Sequence, residues 1–379
     1  MLILLIIIWL LTIAYGVLML LYARGWHMQE EFRLRERFVP ETKITVIIPA
    51  RNEAGNISSC IQSILANDYP QELFEVIVID DHSTDDTYEE VISFGGSVRC
   101  IRLADVLKPG ERLNSYKKKA IETGIAHSFG SVVITTDADC IVPLLWLKQF
   151  AYQFESQQSV MVVAPVVFTT NGSIVQNFQV IDFMSMQGIT VAAHRLKLGN
   201  MSNGANLAFS KEAFYEVGGY KGVDHLASGD DYLLTMKMHK AFPGRIHYLK
   251  SRDAIVQTAP QPTWGNFIQQ RIRWASKSGK YDDKKLTGIL MMVYLFNLSF
   301  LLLFILGFTD SLFWLLGASI LLLKTGVELY FLLPVAAFFR KRNVLVWFPF
   351  LQPLHIVYII SAGFMGMIGK YQWKGRNVK

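Results

Sequence analysis

Three groups of residues in this sequence carry side chains suited to chemistry on a charged substrate. Asp137-Ala-Asp139 follows an apolar run, Asp230 and Asp231 stand side by side ahead of a helix-like pattern, and Gln270-Arg-Ile-Arg-Trp274 sets two cations beside an aromatic ring. A carboxylate can accept a proton, and a planar guanidinium can meet two phosphate oxygens together. These groups predict a site where Asp231 takes a proton while Arg273 holds a departing phosphate.

The segment from Gln270 to Trp274 also fits a second interpretation, a helix lying on a membrane surface. Its basic side chains would then face lipid phosphates, and its tryptophans would lie at the interface. The residues concerned are Arg271, Arg273 and Lys277, with Trp264 and Trp274. The two interpretations are compatible with each other.

The elements that must position these residues alternate between strands and helices. Apolar, β-branched runs predict strands at 44–48, 76–79, 98–103 and 132–135, and helical patterns fall at 57–65, 87–94 and 119–127. This alternation predicts an α/β fold with a mostly parallel sheet that binds ligands at the carboxyl ends of its strands. Acidic residues stand at those ends: Asp80, Asp81, Asp137 and Asp139.

Aspartates at such positions have two explanations. They cap helices and open turns in many proteins. An Asp-x-Asp at the end of a strand also lets two carboxylates share one divalent ion, with positions left for water and phosphate oxygens. We interpret two other motifs as turns: His82 within the acidic loop, and Gly218-Gly219-Tyr220 after a helix at 211–217.

Apolar segments at both ends of the chain predict membrane helices. Residues 2–21 are almost unbroken apolar, and a helix of that length crosses a hydrocarbon core of about 30 Å. Five basic residues follow: Arg24, Arg33, Arg35, Arg37 and Lys43. The positive-inside bias therefore predicts an outside amino terminus and a cytoplasmic domain after the anchor.

The predicted organisation has five parts. They are an N-terminal transmembrane anchor at 1–22, a basic juxtamembrane linker at 23–43, a cytoplasmic catalytic domain at 44–280, a C-terminal membrane region with three apolar segments at 286–369, and a basic tail at 370–379. If all three segments cross, the basic tail lies outside, against the charge bias. Two segments are therefore candidates for re-entrant or interfacial placement, one with Lys324 and Glu328, the other with Pro349 and Pro353.

Charge and cysteine content narrow the class of partner. The net charge of +6 could indicate nucleic acid, but the basic residues crowd next to apolar runs, which favours an anionic membrane surface. Cys60, Cys100 and Cys140 have no CxxC spacing and no paired histidines. We interpret them as buried thiols in a reducing compartment.

The order of the motifs closely resembles the membrane-bound family 2 inverting glycosyltransferases. The resemblance covers about 44–274. Its motifs are Pro49-Ala-Arg-Asn-Glu53, Asp80-Asp-His-Ser-Thr-Asp85, a lysine cluster before Ala120-Ile-Glu-Thr-Gly124, Asp137-Ala-Asp139, Gly204-Ala-Asn206, Gly229-Asp-Asp231 and Gln270-Arg-Ile-Arg-Trp274. The resemblance implies a GT-A fold that binds a nucleotide diphosphate sugar, usually a UDP-sugar.

The resemblance also implies roles for the site residues. The nucleotide-binding residues would be Pro49, Ala50, Arg51, Glu53, Asp81 and Lys117. Lys117 is preceded by Tyr116 where the family has glycine, so Lys118 or Lys119 could replace it. Asp137 and Asp139 would hold Mg²⁺ or Mn²⁺, and Asp231 would be the base with Asp230 beside it. The residues at the diphosphate and acceptor would be Gln270, Arg273 and Trp274.

The sequence therefore predicts an inverting transferase of a bacterial inner membrane, with a lipid or membrane-borne glycan as acceptor and no nucleic acid partner. A processive polysaccharide synthase subunit with an export or assembly partner is the first alternative. A nucleotidyltransferase is another, although it would normally begin with a glycine-rich loop, and Pro49 to Asn56 contains only Gly55. An inactive nucleotide-binding scaffold is the third.

Overall fold

The computed structural model describes residues 2–34, 38–108, 113–224, 226, 229–275, 284–368, 371–373 and 376–378. The helices are α1 Leu2–Met28, α2 Ile57–Leu65, α3 Thr87–Ile92, α4 Leu103–Val106, α5 Tyr116–His127, α6 Trp146–Gln157, α7 Ile174–Leu196, α8 Lys211–Glu216, α9 Asp230–Ala241, α10 Trp264–Ala275, α11 Lys284–Leu306, α12 Leu312–Phe338 and α13 Phe348–Ile368. The strands are β1 Ile44–Ala50, β2 Phe74–Asp80, β3 Arg99–Arg102, β4 Val132–Thr135, β5 Cys140–Ile141, β6 Met161–Val163, β7 Val166–Phe168, β8 Leu207–Ser210, β9 Ile246–Tyr248, β10 Val256–Thr258, β11 Tyr371–Trp373 and β12 Arg376–Val378.

The chain forms two compact units. The first, the sheet unit, contains Glu30–Val167 and Asn200–Ala259. The second, the helical unit, contains Met1–Gln29, Phe168–Gly199 and Pro260–Lys379. The predicted boundary of the catalytic domain at 44–280 remains a prediction, and the residues within it are shared between the two units.

A seven-stranded sheet organises the sheet unit, with the strand order β3-β2-β1-β4-β8-β6-β9. Strands β1, β2, β3 and β4 run parallel, β6 runs parallel to β9, and β8 is antiparallel to both of its neighbours. The central strands are buried on both faces, which explains their continuous Val and Ile content. The α/β fold with a mostly parallel sheet is therefore confirmed.

The strand order reverses beside β1, and this reversal creates the place for a ligand. From β1 the chain adds β2 and β3 on one side and then returns to add β4 on the other. The register sets Ile47 opposite both Ile77 and Thr135, so the carboxyl ends of β1, β2 and β4 meet at one edge. Ligands bind outside such edges at points where the strand order reverses.

The helical unit is built on long apolar helices. Four of them are long and apolar enough to cross a membrane: Leu2–Met28, Lys284–Leu306, Leu312–Phe338 and Arg342–Gly366. Their outward faces are apolar, whereas α1 packs its buried side against α7, α11 and α12. Pro353 lies inside α13, so this helix continues through the proline.

One polar cluster interrupts the apolar interior of these helices. Lys324 of α12 donates to both carboxylate oxygens of Glu328, at 2.7 and 2.9 Å, and to Oε1 of Gln352 on α13, at 2.6 Å. Gln352 donates back to Glu328, and Tyr15 of α1 also donates to Glu328. All three protons of the ammonium thus meet an acceptor. This geometry is that of an ion pair neutralised within the helices.

Candidate active site

Acidic side chains from two parts of the sheet unit converge on a single lysine. The Nζ atom of Lys117, in the first turn of α5, lies 2.6 Å from Oδ1 of Asp137 and 3.5 Å from Oδ2 of Asp230. Asp137 follows the end of β4, whereas Asp230 begins α9. Residues separated by more than 100 positions thus form one charged cluster at the edge that the topology predicts.

Electrostatics keep this lysine charged. Burial by itself lowers the pKa of Lys117, but the carboxylates of Asp137 and Asp230 outweigh burial and raise the pKa above its ordinary value. The carboxylate of Asp137 remains partly open, with 39% of its side chain exposed. The cluster can therefore meet an anionic ligand through Lys117 and a cation through Asp137.

The second carboxylate of the acidic pair is oriented by backbone donors. Asp231 accepts a hydrogen bond from the amide of Tyr232 at 2.7 Å and another from the amide of Gly204 at 3.2 Å. Gly229 has a φ of 84°, a conformation that favours glycine, and it turns the chain into α9 immediately before the pair. A side chain on Gly204 would crowd the pair, because its Cβ would lie 3.1 Å from Oδ2 of Asp230.

The turn that carries Gly204 is fixed from the end of β4. Thr135 donates to the carbonyl oxygen of Gly204 and Thr136 to that of Ala205, both at 2.9 Å. The buried Asn206 donates to two carbonyl groups and accepts from Nε1 of Trp146 at 2.9 Å. The sequence identified Gly204 to Asn206 as a motif but did not identify Thr135 and Thr136 as the residues that hold it. The one available signal was their position at the end of a β-branched strand.

Asp139, like Asp137, is half-buried after the end of β4. Its Oδ2 accepts from Oγ1 of Thr258 at 3.1 Å. Burial, followed by repulsion from Asp137 and Glu53, raises the pKa of Asp139 from 3.8 to about 6. Two carboxylates that repel each other at one strand end are the arrangement that a divalent cation neutralises.

The donor atoms at this strand end fit Mg²⁺ or Mn²⁺. Hard cations prefer carboxylate oxygens, and a metal held by one or two carboxylates completes its shell with water and phosphate oxygens. Across the described parts of the chain, no group of three or more His, Cys, Asp or Glu side chains forms a complete site. Asp137 and Asp139 would be the two carboxylate ligands of such an ion.

Apart from Lys117 on α5, the predicted nucleotide-binding residues lie around the ends of β1 and β2. Nη1 of Arg51 donates to the carbonyl oxygens of Asp81 and His82, at 2.8 and 3.0 Å, so this arginine holds the acidic loop. The backbone amide of the buried Asp81 donates to the carbonyl oxygen of Ala50, and Oδ1 of Asp81 lies 2.9 Å from Nδ1 of His82. His82 has a φ of 55°, which confirms the predicted turn. Pro49 and Ala50 are the last two residues of β1.

The three lysines of α5 have different surroundings. Lys117 lies near the carboxylates, whereas the buried Lys118 donates to the carbonyl groups of Val223 and Leu226, at 2.6 and 2.7 Å. Lys118 therefore holds the turn segment that leads toward Gly229. This geometry favours Lys117 over Lys118 for the predicted contact with the donor.

The motif from Gln270 to Trp274 lies on α10 and belongs to the helical unit. Gln270, Arg273 and Trp274 are partly exposed. Arg271, by contrast, is only 2% exposed, and its Nη2 lies 2.7 Å from Oδ2 of Asp182. The interpretation that pointed Arg271 toward lipid phosphates is therefore wrong, and Lys277 lies outside the described residues.

Sequence comparison places the chain in a known class. Residues 132–360 match the family described as Glycosyl transferase family group 2, and residues 45–218 match Glycosyl transferase family 2. The first match alone covers more than half of the chain. The chain therefore belongs to the family 2 glycosyltransferases, and its fold is of the GT-A type.

Several curated proteins are similar to this chain. Glycosyltransferase AglE of Haloferax volcanii is 27% identical over 232 residues, which are 61% of this chain and 71% of AglE. The probable glycosyltransferase YdaM of Bacillus subtilis is 24% identical over 64% of this chain and 56% of YdaM. The 4,4'-diaponeurosporenoate glycosyltransferase of Staphylococcus aureus is 25% identical over 62% of this chain and 63% of its own length. The chain thus spans less than two thirds of the last two relatives.

Among solved structures, the mannosyltransferase PcManGT from Pyrobaculum calidifontis has a similar fold. The two chains share 20% identity with a TM-score of 0.58, over 96% of this chain and 99% of the other. PcManGT was solved in complex with GDP-Man and Mn²⁺. At this level of identity the similarity supports the fold.

Proposed function

We propose that this protein is a membrane-bound inverting glycosyltransferase that moves a sugar from a nucleoside diphosphate sugar to a lipid or membrane-borne glycan. The observation that carries the proposal is the cluster of Lys117 with Asp137 and Asp230, next to the backbone-held Asp231. The cluster combines cationic and acidic groups where a diphosphate and an acceptor hydroxyl would meet. The four apolar helices support a membrane location. The basic residues that follow the first helix favour a cytoplasmic sheet unit, and the membrane of this proposal is a bacterial inner membrane.

In this mechanism Asp231 is the general base. Its two backbone donors hold the carboxylate in one orientation, and it takes the proton of the acceptor hydroxyl as the oxygen attacks the anomeric carbon. The bond to the diphosphate breaks on the opposite face, so configuration inverts. Lys117 stabilises the charge that develops on the leaving diphosphate, and Arg273 is assigned to the diphosphate by the motif to which it belongs. Asp230 helps to hold the ammonium of Lys117.

The remaining predicted residues prepare the donor. Arg51 fixes the loop that carries Asp81, and Asp81 binds the base. Ala50, Pro49 and Glu53 line the nucleotide pocket, while Gln270 and Trp274 lie at the acceptor. Asp137 and Asp139 would hold Mg²⁺ or Mn²⁺, which would supply positive charge to offset that of the diphosphate. The GDP-Man and Mn²⁺ of the distantly related PcManGT support a donor of this chemical class.

The direct test incubates membranes that contain the protein with labelled UDP-sugars and GDP-sugars, each with Mn²⁺ or Mg²⁺. We expect one donor to label a lipid-extractable or membrane-borne product, with inverted configuration at the anomeric carbon. Membranes with the Asp231→Asn variant are the control and should give little product. Equal labelling by both proteins contradicts the assignment of the base, and a long polymer in place of a short product supports the processive alternative.

A further inference from the structure

Two loops of the sheet unit hold each other beside the end of β1. The amide of Asn52 donates to Oγ of Ser83 at 3.0 Å, and the side-chain oxygen of Asn52 accepts from the amide of Thr84 at 2.8 Å. The amide of Glu53 donates to Oγ1 of Thr87 at 2.7 Å. The acidic loop after β2 is therefore held in one arrangement by the loop after β1.

Within the acidic loop a covered carboxylate lies next to an accessible ring. The side chain of Asp81 is only 5% exposed, and its Oδ1 lies 2.9 Å from Nδ1 of His82. The side chain of His82 is 38% exposed. A ligand that reaches this part of the loop therefore meets more of the His82 ring than of the carboxylate.

A second ring comes from the first turn of α5. The ring centres of His82 and Tyr116 lie 5.6 Å apart, and the ring planes meet at 89°. Aromatic rings prefer this edge-to-face arrangement, so the contact helps to hold both rings in place. Tyr116 is also partly exposed. His82 and Tyr116 together form the aromatic pair, which lies at the carboxyl end of β2.

The aromatic pair is next to the charged cluster along the chain. Lys117 follows Tyr116 in α5, and Nζ of Lys117 lies 2.6 Å from Oδ1 of Asp137. In the proposed function this ammonium stabilises the leaving diphosphate. A nucleoside diphosphate joins a flat base to its phosphates through one ribose, so its base reaches a surface close to the diphosphate. The aromatic pair adjoins Lys117 on α5 and Asp81 on the acidic loop.

Flat aromatic side chains suit a nucleobase. A base that stacks on an aromatic ring gains affinity whatever its hydrogen-bonding edge, because every base presents a π-face. An edge-to-face pair leaves ring surface available, since the edge of one ring covers only one face of the other. A contact that merely packed the loop against α5 would instead affect the fold and the binding of every ligand alike. That difference can be measured.

We propose that Tyr116 and His82 form the stacking surface for the nucleobase of the donor, with Tyr116 as the main contributor. The inference rests on the proposed function, because it takes the donor to be a nucleoside diphosphate sugar. Tyr116 supplies the larger ring, and His82, held by Asp81, supports it. Stacking acts on the base alone, so a ligand without a base should not depend on either ring.

Calorimetric titration of the full chain in lipid nanodiscs measures the binding of UDP, GDP and inorganic pyrophosphate, each with Mn²⁺. Tyr116→Ala should weaken the binding of UDP and GDP about 5- to 100-fold, and that of pyrophosphate less than about twofold. Tyr116→Phe keeps the ring and should stay within about threefold of the wild type for all three ligands. Tyr116→Leu is apolar but not flat, so it should lose most of the affinity that Tyr116→Ala loses.

His82 needs a substitution that its backbone tolerates. Its φ of 55° is a conformation that asparagine adopts more readily than most residues, so His82→Asn removes the ring with little strain. This variant should weaken the binding of UDP and GDP about 3- to 10-fold and leave that of pyrophosphate unchanged.

Two further variants make the result specific. Lys117→Met removes a contact with the diphosphate, so it should weaken the binding of all three ligands. Tyr215→Ala, at a tyrosine of α8 that is 54% exposed, is the matched control and should change none of them. Equal losses for nucleotides and pyrophosphate in Tyr116→Ala would assign the ring to general support of the site and overturn the inference. Unchanged nucleotide binding in Tyr116→Ala would overturn it as well.

Failure of the proposed function gives a different result. If the wild type transfers no sugar from any donor while Tyr116→Ala selectively loses affinity for UDP and GDP, the stacking surface is established and the proposed function is wrong. If the wild type transfers sugar and Tyr116→Ala matches it in nucleotide affinity and donor KM, the inference is wrong and the proposed function remains. A wild-type protein that binds neither UDP nor GDP contradicts both.

Discussion

Two charged clusters of this protein both pair a lysine with carboxylates, but they differ in how far they are exposed to solvent. In the helical unit, Lys324 is wholly buried, Glu328 is 6% exposed, and every proton of the ammonium meets an acceptor within the cluster. In the sheet unit, Lys117 meets Asp137 at 2.6 Å, but 39% of the Asp137 side chain is exposed. The first cluster is closed and can only hold helices together. The second is open, so a ligand can rearrange it.

The first prediction concerns the open cluster and has the largest expected effect. Asp231→Asn should lower the rate of sugar transfer by about 10² to 10⁴-fold, because the amide cannot accept the proton of the acceptor. Rates are measured at saturating donor and acceptor. Asp68→Asn, at an exposed aspartate that pairs with Lys148, is the matched control and should keep the wild-type rate. A loss in both variants would point to general damage and not to a missing base.

The second prediction concerns the closed cluster. Lys324→Met should destabilise the protein by about 3–5 kcal/mol, because Glu328 is left charged and buried without its partner. Adding Glu328→Gln should return a large part of that stability. Unfolding in lipid nanodiscs measures both. If Lys324→Met instead abolishes transfer in a fully stable protein, this cluster is functional and the contrast between the two clusters fails.

A third prediction separates the lysines of α5. Lys117→Met should raise the KM for the nucleotide sugar about 10- to 100-fold, through loss of a charge-assisted contact with the diphosphate. Lys118→Met should chiefly lower the melting temperature, because its ammonium holds the carbonyl groups of Val223 and Leu226. Lys119→Met is the control for both quantities. An increase in KM with Lys118→Met alone would transfer the role to that residue.

The smallest expected effect concerns metal and pH. The folded-state pKa of Asp139, about 6, is above its ordinary value of 3.8, so the metal-free fold binds this proton more tightly than the unfolded chain. Protonation of Asp139 therefore stabilises the metal-free protein as pH falls from about 6 to 4. Above pH 6 the ionised carboxylate lowers the stability of the fold. Bound Mn²⁺ would offset this loss of stability, because the cation binds the ionised carboxylate of Asp139.

Thermal unfolding with and without Mn²⁺ tests this coupling. At about 10 times its dissociation constant the ion should add about 1.4 kcal/mol of stability at pH 7.5, and clearly less at pH 5. Asp139→Asn should lose this increment at both pH values. Equal stabilisation of wild type and variant by Mn²⁺ would place the ion elsewhere.

Local patterns predicted the sheet unit well. Strand β4 lies at 132–135 as expected, and β1 and β2 extend the predicted runs by one or two residues at their ends. Gly218 and Gly219 have φ values of 70° and 51°, which confirms the predicted turn. These features depend on neighbours in the chain, and hydrophobic periodicity and turn chemistry report on neighbours. Cys60 and Cys140 are buried as predicted, although Cys100 is partly exposed.

Long-range partners were the part that the sequence could not supply. Nothing near Arg271 in the chain indicates that it is buried, because its partner Asp182 lies 89 positions earlier, and Arg273 two residues later is partly exposed. The amphipathic pattern of α10 does not distinguish Arg271 from Arg273 in burial. Only the packing of α7 and α13 against each other and against α10 distinguishes the anchored arginine from the other.

Local sequence patterns were sufficient to predict the α/β fold, the apolar helices and the family, because alternating strands, long apolar runs and ordered motifs can be recognised without the structure. They also named Asp137, Asp230, Asp231 and Lys117. Three facts became visible only in the folded structure. Lys117 is the lysine that meets the carboxylates, Arg271 is the buried arginine of α10, and Lys324 has its partners inside the helical unit. Those outcomes depend on distance and solvent exposure, which fix how strongly charges interact and which arise only when remote segments pack together.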